Sequence, residues 1–174
     1  MSALQYGAAV GIAVGLILVV IVLKAINKDG AVKTKYDERQ LVARGNAYRY
    51  GFFSTIICCA ILLVLDMDGD ISSKLGYVSF FIPVMAGLIV QISYSIFSDA
   101  YVGQNTNMTK FIVIMTAISV FNLLVGLIPL VRGELLSEGK LTGPFINLTV
   151  GLLFIIVAAE LLVKKAIDSR EERD

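Results

Sequence analysis

Five long apolar runs, separated by polar stretches, occupy residues 4–23, 47–65, 77–97, 111–131 and 145–163 of the 174-residue chain. A helix rises about 1.5 Å per residue and a bilayer core is about 30 Å thick, so a span takes roughly 20 apolar residues. Four runs come close to that length unaided. The second has an uninterrupted apolar core only from Phe52 to Leu65 and must borrow Ala47 to Gly51, with Arg49 snorkelling to the surface. None shows the strict alternation of a barrel strand. The pattern predicts an all-α fold: one membrane domain over residues 1–174, an integral bundle of five transmembrane helices.

The first run is read as a retained span rather than a cleaved leader. No Lys or Arg precedes it, and positive charge begins after it, at Lys24. Lys and Arg in the connections then set the orientation. Five crossings put residues 24–49, 98–110 and the tail on one side, with twelve basic residues, against three on the other. This predicts the N-terminus outside, a cytoplasmic basic segment at 24–46 and a cytoplasmic tail at 164–174.

Composition agrees and narrows the chemistry. The chain is 57% hydrophobic and 17% charged, with mean hydropathy +0.81, whereas a soluble domain carries about 25% charge. It has no histidine, which removes the commonest general base and metal ligand together. The two cysteines, Cys58 and Cys59, are neighbours in one span and read as small apolar residues. Asp66, Asp68 and Asp70 fail the calcium-loop pattern, since Ile71 and Tyr77 stand where it needs Gly and Glu. No catalytic residue, cofactor or metal site is expected, and no nucleic-acid partner. Enzymatic activity is not expected either.

Three features remain. Gly7, Gly11 and Gly15 recur every four residues on one face of the first helix, a glycine zipper along which another backbone can approach. The expected use is packing against another span of the chain, or contact with a second copy. Within the spans, Gln91, Asn122 and Glu160 are polar and expensive to place in lipid. Gln91 and Asn122 are expected to hydrogen-bond between helices, or to line a polar path. Glu160 is expected to pair with Lys164 one turn on. In the 24–51 segment, Asp37 with Gln40 three residues later predicts a capping box opening a helix at Glu38. That helix is expected to run into the second span, with a break at Gly45. Asp37, Glu38, Arg39, Gln40 and Arg44 are candidate docking residues for a cytoplasmic partner.

The same stretch carries a resemblance. Tyr36-Asp37-Glu38-Arg39-Gln40, then Ala43-Arg44-Gly45, then Tyr48-Arg49-Tyr50-Gly51-Phe52-Phe53, resembles the juxtamembrane signature of small, uncharacterised multi-pass membrane proteins of bacteria. It implies location in the bacterial cytoplasmic membrane and assigns no catalytic or binding residue. The expected function is a non-enzymatic accessory, regulatory or structural subunit acting through helix–helix contacts. Its partners are the lipid bilayer and either a homo-oligomer or another membrane subunit. The alternative is a small oligomeric transporter or channel with a polar path near Gln91 and Asn122.

Overall fold

The computed structural model describes residues 3–76 and 78–171. The order is α1 (Ala3–Ile26), α2 (Glu38–Gly69), α3 (Ile71–Leu75), α4 (Val78–Phe97), α5 (Met108–Val131), β1 (Leu136–Ser137), β2 (Lys140–Leu141) and α6 (Pro144–Glu171). Five of the helices are long and apolar enough to cross a membrane. Tyr77, the expected first residue of the third span, and Arg173 in the tail lie outside the described residues.

The second helix opens at Glu38, as the Asp37–Gln40 spacing predicts, and runs unbroken through the second apolar run for 32 residues, about 48 Å at the helical rise. The capping box is present. The Asp37 carboxylate accepts from the Gln40 backbone N–H at 2.7 Å, and the Asp37 N–H donates to the Gln40 side-chain oxygen at 3.2 Å. No break occurs at Gly45, because hydrogen bonding continues through it and no proline interrupts. Pro83 and Pro129 likewise sit inside α4 and α5, neither of which they end.

The connection after α5 contains what the apolar pattern missed, a two-residue-per-strand antiparallel hairpin with Leu136 opposite Leu141. Glu138 and Gly139 both have positive φ, 52° and 76°. That is the turn whose twist suits a tight hairpin.

The long helices stand in a row. α2 packs along α4, α4 meets α6, α6 packs along α5, and α1 touches α5. No comparable contact closes the row among the described residues, so it is an open arc. One end of the arc gathers the end of α1, the start of α2, the α4–α5 connection and the last turns of α6. This end carries most of the Lys and Arg and is called the basic end below. The buried cluster of Ile96, Leu153, Val157 and Leu161, with Met108, Phe111 and Tyr101 against it, sits towards this end. Towards the other end α4 and α6 part around an apolar cavity of about 410 Å³ that Phe81, Met85, Phe145 and Leu152 help to line.

Two glycine pairs hold the row together. Gly51 on α2 and Gly87 on α4 face each other, and a Cβ on either would lie 2.8 Å from the other's carbonyl oxygen. On α5 and α6 the pairing is reciprocal. Gly126 receives Leu148 and Gly151 receives Leu123, each leucine standing where a Cβ would be. The buried Ser119 hydroxyl adds a 2.8 Å hydrogen bond to the Gly151 carbonyl. Such close backbone approach lets the facing helices make dense van der Waals contact.

Gly11 and Gly15 of the first helix behave differently, and at these two positions the expected packing against another span of the chain is not found. A Cβ on Gly11 or Gly15 would meet nothing within 4 Å. The surroundings of Gly7 lie outside the described residues. The physical reason is that, among the described residues, α1 is fastened only at its foot, where Ile26 and Asn27 are buried. Above that foot its apolar residues, such as Ile12 and Leu16, are exposed.

Candidate functional site

The basic end is built from uncharged polar residues first and charges second. Asn105, in the α4–α5 connection, is the hub. Its side-chain oxygen accepts from the Lys35 N–H at 2.8 Å, and its amide donates to Asp29 at 3.0 Å and to the Lys33 carbonyl at 3.2 Å. The foot of α1 is stitched to the same connection. Lys28 N–H donates to the Asn105 carbonyl and Asn107 N–H to the Ile26 carbonyl, both at 2.7 Å. The Thr106 hydroxyl reaches Asn27 at 3.1 Å. Gly103 allows this approach, since a Cβ there would lie 2.7 Å from the Lys35 carbonyl oxygen.

Residues 37–44 lock onto the end of α4. Asp99 adopts a left-handed conformation, φ 57°, just past the end of α4. Its carbonyl accepts from the Gln40 amide at 2.6 Å. Its carboxylate lies 2.8 Å from the Lys164 ammonium and 3.4 Å from Arg39. The Lys164 hydrogen bond, followed by the charges of Lys164 and Arg39, holds the Asp99 carboxyl below its usual range. Asp29 is held down to about 2, first by Lys35 and then by the Ala31 N–H and the Asn105 amide.

Arg44 sits half-buried with its guanidinium 4.2 Å from the centre of the Tyr36 ring. It donates to the Tyr36 hydroxyl at 3.0 Å, the Tyr48 hydroxyl at 3.2 Å and the Ala100 carbonyl at 3.2 Å. Nearby Tyr101 is pushed up to about 12, chiefly by burial, with Arg44 opposing the rise.

Of the candidate docking residues, Asp37, Arg39, Gln40 and Arg44 thus make contacts inside the chain, and Glu38 is exposed. The intramembrane candidates fall on separate interfaces. Gln91 lies against Gly51, in the furrow between α2 and α4. Asn122 donates to the Ile118 carbonyl of its own helix at 2.9 Å. The two are not brought together.

The expected Glu160–Lys164 pair is not formed. Lys164 turns to Asp99 and to Asp168, the latter at 2.6 Å. The loop aspartate competes successfully because Lys164 lies nearer the polar end than Glu160 does. Glu160 accepts instead from the Ser93 hydroxyl at 2.7 Å, and its other oxygen is buried without a partner.

Residues that sequence reasoning passed over include Asn27, Ser93, Asp99, Asn105 and Thr106. One signal was available: the 104–107 stretch, Gln-Asn-Thr-Asn, is polar yet uncharged, a composition suited to paired hydrogen bonds. Among the described residues no group of three or more His, Cys, Asp and Glu could hold a metal ion. Comparison with protein-family models, with curated proteins and with solved structures gave no match in any of the three.

Proposed function

We propose that this chain is a multi-pass protein of the bacterial cytoplasmic membrane, a non-enzymatic accessory, regulatory or structural subunit that acts through helix–helix contacts. The observation that carries the reading is the contrast among its glycines. Gly51, Gly87, Gly126 and Gly151 each have a neighbouring helix pressed against them, while Gly11 and Gly15 have none. A glycine stripe at four-residue spacing admits a second backbone, and in lipid that approach is itself the driving force. The stripe continues by helical period to Ile26, the buried foot of α1, so a helix lying on it stands beside the arc. A second copy, or another membrane subunit, supplies that helix.

The orientation is N-terminus outside and tail cytoplasmic. Its support is the sorting of twelve basic residues to one side and the gathering of the same three segments at one end of the arc. The Tyr36–Phe53 resemblance supports the bacterial assignment. Affinity purification in mild detergent, with the mass of the complex measured, tests the function. An oligomer or a co-purifying membrane protein is expected, and a strict monomer with nothing bound contradicts it.

A further inference from the structure

The furrow between α2 and α4 has a charged head. On α2 it is lined by Tyr48, Phe52 and Thr55, and on α4 by Val84, Leu88 and Gln91. These recur at the three- and four-residue spacing of a single helix face. Arg44 stands one turn before Tyr48 on the same face of α2, so it caps the furrow at the basic end. The furrow has a volume of about 380 Å³ and runs about 10 Å from Tyr48 to Thr55 at the helical rise.

Arg44 is a cation without a counter-ion. Its recorded acceptors, two tyrosine hydroxyls and a backbone carbonyl, are all neutral. Among the described residues no carboxylate lies within ion-pairing distance of it. Each tyrosine oxygen that accepts from Arg44 keeps its own hydrogen to donate elsewhere. A half-buried guanidinium flanked by two free O–H donors is complementary to a phosphate, which takes charge-assisted hydrogen bonds from both kinds of donor. Deeper in the furrow, the Gln91 amide makes no hydrogen bond among the described residues and faces an otherwise apolar wall.

We propose that this furrow binds an anionic phospholipid, with its phosphate at Arg44 and Tyr48 and one acyl chain lying along the helices past Gln91. An ester carbonyl of the lipid is the acceptor that the Gln91 amide lacks. The charged head selects the lipid over an apolar helix from another protein, which would bury Arg44 without a partner. The apolar wall selects the whole lipid over a free phosphate. The proposal rests on the membrane reading but not on the α1 contact, and oligomeric state is read separately.

The test uses the full chain, delipidated in mild detergent and examined by native mass spectrometry. The probes are phosphatidylglycerol and phosphatidylcholine of identical acyl chains. Wild type is expected to retain phosphatidylglycerol over phosphatidylcholine by roughly fivefold, the effect of one basic residue at an anionic surface. Arg44→Gln is expected to bring the ratio to near unity, and Arg49→Gln to leave it unchanged. Leu88→Trp fills the furrow and is expected to reduce retention of both lipids. If Arg44→Gln fails to fold, Leu88→Trp decides. Equal retention of the two lipids by wild type overturns the proposal, as does unchanged retention in Leu88→Trp. Full displacement of the lipid by inorganic phosphate makes this a free-anion site and also overturns it. A disulfide between copies through Phe52→Cys in native membranes puts protein in the furrow, with the same consequence.

Discussion

Gly51 of α2 and Gly87 of α4 meet back to back, each glycine's carbonyl oxygen 2.8 Å from where the other's Cβ would stand. The Thr55 side chain closes the same space from the side, its hydroxyl donating to the Gly51 carbonyl at 3.0 Å. One added methyl must push the helices apart. Gly51→Ala and Gly87→Ala are each expected to destabilise the purified chain by about 1–3 kcal/mol, the usual cost of overpacking. Gly11→Ala and Gly15→Ala, in the monomer, are expected to stay within about 0.5 kcal/mol of wild type. Denaturation in detergent micelles, followed by circular dichroism, measures both.

Among the described residues, Glu160 and Ser93 form the one side-chain hydrogen bond between α4 and α6 inside the apolar region. Ser93→Ala removes the only donor to this carboxylate among the described residues and is expected to cost about 1–3 kcal/mol. Replacing both partners with apolar residues, as in Ser93→Ala with Glu160→Met, is expected to recover most of that loss, because neither polar group is then stranded. A double-mutant cycle on unfolding free energy reads the coupling. If the double variant is as unstable as Ser93→Ala alone, Glu160 has a partner other than Ser93.

Acid loosens the basic end before it touches the helices. Asp29 sits at about 2 in the folded chain, against an ordinary 3.8, and Asp99 is shifted in the same direction. A carboxyl depressed by folding binds its proton more readily when unfolded. Its stabilisation is therefore complete above the ordinary value and drains away as pH falls towards the folded one. The protection of amides 99–107 against hydrogen exchange, corrected for the intrinsic pH dependence of exchange, is expected to fall as pH drops from 4 towards 2, with helix content unchanged. The pair Asp29→Asn and Asp99→Asn is expected to flatten that dependence.

The orientation has its own test. Reporters fused after Asp174 and within the 132–143 connection are expected to report opposite sides of the membrane, the first cytoplasmic. A C-terminal reporter active only outside the cytoplasm contradicts it.

The helices were readable in the sequence because lipid-length apolar runs leave few other structures open. The capping box at Asp37 and Gln40 was readable too, since it depends on neighbours along the chain. Pairings between distant segments were not. Nothing in one sequence tells that Gly126 receives Leu148, or that Gly11 receives nothing, because both glycines sit in apolar helices of similar composition. Lys164 illustrates the same limit. Helical spacing offers it Glu160 one turn back and Asp168 one turn on, while Asp99, 65 positions away, takes part only because the fold returns α4 to α6. The α4–α5 connection, residues 98–107, has a single charged residue, Asp99, although its hydrogen bonds are what fasten α1 to the arc.

The central claim is that the glycine face of α1 is occupied by another protein helix. Site-specific photo-crosslinking in native membranes tests it most directly. Leu18 borders the stripe and Val20 lies on the opposite side by helical period; both are exposed in the single chain. A photoreactive residue at position 18 is expected to give a protein adduct, either a second copy or a distinct membrane subunit, while position 20 gives lipid adducts alone. Lipid adducts alone at both positions would contradict the account.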